Sequence, residues 1–138
     1  MKFDRIFSVI VPKYSNSGER ISTEKISEYA KKMAGEFGGV TVHPTVLGCW
    51  VTKDGKLVCE ENVLMEAALD ASEMPDYEVE KKREFVRKLA KDIGKELGQE
   101  AVMAWEDVID RLSFIEGEYR PSVPEKFKEH DYFKKLID

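Results

Sequence analysis

Histidine and cysteine are scarce in this chain, with two of each in 138 residues. Two cysteines are too few for a disulfide framework or a complete zinc site, so neither is expected to carry the fold. No apolar run approaches the roughly 18 residues that a membrane-spanning helix needs. The opening stretch, Met1-Lys2-Phe3-Asp4-Arg5, enters a strand-like run at once and has no small-residue cleavage site, so no secretory signal is expected. A basic excess is also missing. Lys and Arg number 22 against 27 Asp and Glu, a net charge of −5, which leaves no broad positive field for phosphate. These absences point to a soluble cytoplasmic protein with no membrane contact, and they disfavour nucleic acid as a partner.

What is present is a globular composition, 42% hydrophobic and 36% charged, in a length that suits one domain. Phe3 to Val11 is rich in β-branched and aromatic residues and stops at Pro12, the pattern of a first strand. Ser15, Asn16, Ser17 and Gly18 mark a loop, after which Ser22 or Thr23 offers an N-cap with Glu24 in the first turn. Ile26, Tyr29, Ala30, Met33 and Phe37 then recur at helical spacing before Gly38-Gly39, so a helix is expected over 23–37. Val40 to Val51 and Leu57 to Leu69 read as two strands. Tyr77 to Gly98 carries the stripe Val79, Val86, Leu89, Ile93 and Leu97 of a second helix, with Asp76 as its N-cap. Ala101 to Trp105 reads as a last strand, resuming over 108–115. The order β-α-β-β-α-β fits an α+β domain of ferredoxin-like plan, an antiparallel sheet with both helices on one face. That domain is expected over residues 1–116. Residues 117–138 form a C-terminal arm, either docked through a short helix or partly disordered.

Asp54-Gly55 lies between the two middle strands and is a strong hairpin signal, because a type I′ turn needs positive φ at both central residues. Centring the turn there pairs Trp50 with Cys59 and Cys49 with Glu60. A four-residue loop keeps this register, whereas a three-residue loop breaks it. Val42, Val46, Trp50, Leu57, Cys59, Val63 and Met65 then share an apolar face expected under the helices. His43, Thr45, Leu47, Cys49, Val51, Val58, Glu60, Asn62 and Leu64 share the other. Pro44 and Gly48 are positions at which a bulge would swap part of this assignment. With the cysteines on opposite faces, no intramolecular disulfide is expected.

The segment Trp50-Val51-Thr52-Lys53-Asp54-Gly55-Lys56-Leu57-Val58-Cys59-Glu60 resembles the core motif, W-x-x-x-D-G-x-[IL]-V-x-E, of a small bacterial ferredoxin-like domain family of unknown function. The order of elements is the same in that family, and the tail beyond Gly117 departs from it. The resemblance implies the fold and supplies no activity.

His43, Cys49 and Glu60 are the one grouping that offers a base, a nucleophile and an acid. Positions 43 and 49 lie about 20 Å apart along one extended strand, so only a bulge or a second subunit brings them together. Glu60, Glu61, Glu66 and Asp70 raise acid/base or metal chemistry, but no second acidic motif stands at a defined spacing, and neither metal nor cofactor is expected. Gly35, Gly38 and Gly39 close a helix rather than open one, which fails the phosphate-loop pattern. Lys81, Lys82, Arg83, Arg87, Lys88, Lys91 and Lys95 are interleaved with Glu78, Glu80, Glu84 and Asp92, as on a solvated helix face.

Leu47, Val51, Val58 and Leu64 make the second hairpin face too apolar for plain exposure, which points to an interface. The leading expectation is an interaction or ligand-binding module, acting as a homo-oligomer with a small-molecule or protein partner. The alternatives are a small enzyme whose site forms between sheet and subunit, using His43, Cys49 or Glu60, and a nucleic-acid-binding domain.

Overall fold

In the computed structural model, residues 2–117, 134 and 136–138 are described. Six elements follow one another: β1 (Lys2–Pro12), α1 (Thr23–Phe37), β2 (Thr41–Val51), β3 (Leu57–Leu69), α2 (Asp76–Glu96) and β4 (Ala104–Ser113). The four strands form one sheet in the order β2-β3-β1-β4, antiparallel at every step. This is the ferredoxin-like α+β plan. β4 runs unbroken from Ala104, later than the sequence pattern places it. Ser22 caps α1 through the Lys25 amide, and Gly38, at φ +88°, ends it in the left-handed conformation that glycine adopts without strain. α2 begins one residue after Pro75, so Asp76 stands in its first turn rather than at the cap.

Both helices lie on one side of the sheet. Phe7, Val9 and Val11 of β1 and Val63, Met65, Ala67 and Leu69 of β3 point that way and are buried. They meet Ile26, Tyr29, Ala30 and Met33 of α1 and Val79, Val86, Leu89 and Ile93 of α2. Phe37 stacks against Phe7 at 5.2 Å and meets Phe85 edge-on at 6.0 Å, joining both helices to the sheet. Lys82 adds a polar tie from α2 to α1, donating to the Glu36 carbonyl at 2.8 Å. The chain also returns to the core at Ile137, which is buried. Its carbonyl accepts from Arg20 at 2.7 Å and from Lys13 at 3.3 Å, while the Thr23 hydroxyl donates to Asp138. The arm's remaining aromatics, Phe127, Tyr132 and Phe133, and His130 lie outside the described residues.

The hairpin turns differently from the sequence expectation. Gly55 donates its amide to the Thr52 carbonyl at 3.0 Å, and Thr52 donates to the Lys56 carbonyl at 2.8 Å. Gly55 has φ +83°, whereas Asp54 is not in the left-handed region. This is a three-residue loop, a type I turn closed by a glycine bulge, rather than the two-residue type I′ turn. The Thr52 hydroxyl secures it, accepting from the Lys56 amide at 3.1 Å and donating to the Asp54 carboxylate. The consequence is a one-residue change of register: Cys49 faces Cys59, Trp50 faces Val58 and Val51 faces Leu57. The cysteines, expected on opposite faces, stand directly opposite each other with Cα atoms 4.1 Å apart and form a disulfide. A second irregularity enters between His43 and Val46, where Pro44 and Thr45 together oppose Val63. Together these reverse β2 beyond the bulge. Trp50 and Val46 move to the helix-free face, and Leu47, Cys49 and Val51 move to the helix side.

A β-branched residue at position 55 must adopt the left-handed conformation against its own Cβ. Gly55→Val is expected to cost about 1–2 kcal/mol. Gly39→Ala, at ordinary φ with open space around it, should stay within about 0.5 kcal/mol of the parent. Urea unfolding of both variants measures the contrast.

Candidate functional site

The strands outrun the helices. On β3 the helix-side positions Val63, Met65, Ala67 and Leu69 are buried, but Leu57, Cys59 and Glu61 are exposed. Beyond the bulge, β2 and β3 therefore form an arm that α1 and α2 do not cover. Its helix-side surface carries Leu47, Val51 and Leu57, which are 66%, 65% and 68% exposed, set around the Cys49–Cys59 bond. The opposite surface carries Trp50, still 47% exposed beside the half-buried Val58. The four residues expected to share one interface are thus divided. Leu47 and Val51 lie on the helix side, and Val58 and Leu64 lie on the helix-free face.

That helix-free face holds a second group. Thr41, Glu66, Ser8 and Trp105 stand side by side across all four strands, because each is paired in register with the next. His43 leans on this row, its Nε2 2.6 Å from Glu66 Oε1. Ser8 is 1% exposed, and its hydroxyl has no hydrogen-bond partner. Ser8 is thus closed off from solvent and forms the floor of the row rather than part of its open surface. Trp105 donates its indole N–H to Asp107 at 3.1 Å. The face can hold a polar or cationic group against Glu66 with an aromatic ring beside it.

The grouping of His43, Cys49 and Glu60 does not form. His43 and Glu60 do share the helix-free face, but His43 pairs with Leu64 and Glu60 with Gly48, about 13 Å apart along β3. Cys49 is on the other side, with its sulfur bound to Cys59. Among the described residues, no three His, Cys, Asp or Glu side chains come together as a metal site, and no helix is long and apolar enough to cross a membrane.

A third group lies on the helix side at the β4 edge. Glu106 takes Arg5 Nη1 at 2.6 Å and Arg83 Nε at 2.7 Å. Arg83 and Arg87 both reach Glu80 at 3.1 Å. A cavity of about 190 Å³ opens here between Glu106, Arg87, Trp105 and Phe7. Hydrogen bonding from Arg83, and then from Arg5, holds the Glu106 carboxyl below its ordinary range. Sequence reasoning missed this cluster because its members come from β1, α2 and β4, and no local spacing links them. It also missed Ser8 and the buried Lys13, whose one signal is a polar residue inside or just after an apolar strand.

A scan against protein-family models finds no match, and neither does a search of curated proteins. Similarity appears among solved structures. A phage SAM lyase in complex with S-methyl-5'-thioadenosine matches at a TM-score of 0.56 and 16% identity, covering 87% of this chain and 95% of that one. The phage SAM lyase in its apo state matches at 0.53 and 17%, covering 86% and 94%. The divalent ion tolerance protein CutA1 from Ehrlichia chaffeensis matches at 0.47 and 8%, covering 100% and 98%. At these identities the two lyase structures show a shared fold.

The Glu106 clamp sets a pH dependence. A carboxyl whose folded pKa is depressed contributes stability above its ordinary value of 4.5, and that contribution is lost as pH falls through the lower folded value. Glu106→Gln should cost about 1–2 kcal/mol at pH 7. The gap from the parent should close as pH falls below about 4. Thermal unfolding across pH 3–7 reads both.

Proposed function

We propose that this chain is a ligand-binding or interaction module that works as a homo-oligomer in the cytoplasm. The observation that carries the reading is the arm, with Leu47, Val51 and Leu57 on one surface and Trp50 on the other. None is covered by either helix. Apolar side chains clustered in this way favour association, since each leaves water when a second surface covers it. In this reading the arm holds the subunits together. The helix-free row of Thr41, Glu66 and Trp105, with His43, receives the ligand. Glu66 supplies charge and Trp105 a flat apolar wall. Nucleic acid fits less well, because Arg83, Arg87 and Lys88 of α2 are engaged by Glu80, Glu84 and Asp92.

A second reading is favoured by the likeness to the phage SAM lyase bound to S-methyl-5'-thioadenosine. In it the module is an enzyme on a sulfonium nucleoside. Glu66, oriented by His43, then faces the cationic substrate, and Trp105 flanks the base. Incubation of the purified protein with SAM, followed by mass-spectrometric detection of S-methyl-5'-thioadenosine, is the direct check. Product that disappears in Glu66→Gln supports this reading, and absence of product removes it.

For the leading reading, Leu47→Glu places a charge in the arm's apolar patch without touching the core. It should weaken self-association at least about tenfold, or roughly 1.4 kcal/mol, in sedimentation equilibrium. A parent chain that sediments as a monomer at every concentration would overturn the oligomer reading.

A further inference from the structure

The disulfide lies in the middle of the arm's apolar patch. Cys49 stands between Leu47 and Val51 on β2, and Cys59 between Leu57 and Glu61 on β3. Both cysteines are exposed. Ten positions separate them, and the turn between them already closes on backbone bonds and the Thr52 hydroxyl. The covalent bond is therefore not what makes the hairpin. Its effect is local. It fixes 49 opposite 59 and makes the centre of the patch apolar and rigid. When the bond is broken, the two sulfurs cannot stay at bonding distance and must separate to nonbonded contact. Each then becomes a thiol, which puts an S–H donor where an apolar bridge stood. Both changes occur among the side chains that a docking partner would cover.

The charges beside the patch select the partner. The tip carries Lys53, Asp54 and Lys56, a net of +1 (two lysines less one aspartate), and on the patch side the base carries Glu61, paired with Leu47, a charge of −1. Two copies of the arm laid antiparallel about a twofold axis bring each tip against the other's base. The same patch then serves both sides of the contact.

We propose that Cys49 and Cys59 are a reversible thiol–disulfide switch at the centre of a patch that docks on the same patch of a second copy, with the oxidised form competent to dock. The proposal rests on the homo-oligomer reading. Its redox partner is a low-molecular-weight disulfide of the glutathione class. One cysteine thiolate attacks that disulfide, forming a mixed disulfide and releasing one small thiolate. The second cysteine thiolate attacks the protein sulfur of the mixed disulfide, forming the Cys49–Cys59 bond and releasing the other small thiolate. Two electrons pass from the protein to the reagent, and the two protons from the cysteines end on the released thiols. Reduction runs the same steps backwards.

The test is sedimentation equilibrium of the full chain, oxidised with glutathione disulfide or reduced with dithiothreitol, with thiols counted by a chromogenic disulfide reagent. The double variants Cys49→Ser/Cys59→Ser and Cys49→Val/Cys59→Val are run beside it, and far-UV circular dichroism verifies their fold. The expected result is association at least tenfold tighter for the oxidised chain. The serine variant should match the reduced chain in both buffers, and the valine variant should fall between the two states without responding to the reagent. Equal association in the oxidised and reduced states would overturn the switch and leave the oligomer reading standing. Absence of association in both states would overturn both. A disulfide that links two chains on a non-reducing gel would overturn the intrachain switch.

Discussion

Strand pairing has a period of two, and most of what distinguishes this molecule depends on where a single residue is added to or left out of that count. The sheet's central pair, β1 with β3, runs in register from Arg5 against Leu69 to Pro12 against Asn62. Under the helices it therefore presents an unbroken row of Phe7, Val9, Val11, Val63, Met65, Ala67 and Leu69. β2 follows β3 only as far as His43. The extra residue at Pro44-Thr45 and the three-residue turn at 53–55 then decide together which side chains of the arm share a face. From that choice follow the cysteine pairing, the exposed patch of Leu47, Val51 and Leu57, and the transfer of Trp50 to the other surface.

Much of the fold was legible because its signals are local and repeated. Ile26, Tyr29, Ala30 and Met33 recur at helical spacing and lie buried, and Ser22 and Gly38 mark their own helix ends. Odd-numbered positions of β3 from Val63 onward face the helices as alternation requires. The register of the arm was not legible in the same way. Asp-Gly favours a two-residue turn when considered alone. What overrules it is the side chain of Thr52, which bonds both Lys56 and Asp54 across the longer loop. Sequence patterns score turn residues and rarely score the hydroxyl that precedes them. The bulge at Pro44 could be located, but not its size. Each error was a single residue, and a single residue was enough to reverse Leu47, Cys49 and Val51.

The site residues divide along the same line. His43 and Glu60 lie on the helix-free face as expected, yet they do not meet. His43 is joined instead to Glu66, and through register to Ser8 and Trp105. Neither partnership has a sequence spacing, because the residues come from four strands. The Glu106 clamp is hidden for the same reason. Chemistry assembled across a sheet cannot be read along one strand, whereas chemistry within one helix, such as the Glu84–Arg87 pair, can.

The bulge at Pro44 has a further consequence. β2 is an edge strand, and an edge strand of eleven residues with free backbone groups would offer itself to any other chain as a template for unlimited stacking. Proline has no amide hydrogen to give, and the extra residue beside it twists the ladder where such stacking would have to continue. The edge is thereby interrupted between His43 and Val46, and a second chain cannot follow it as one continuous ladder.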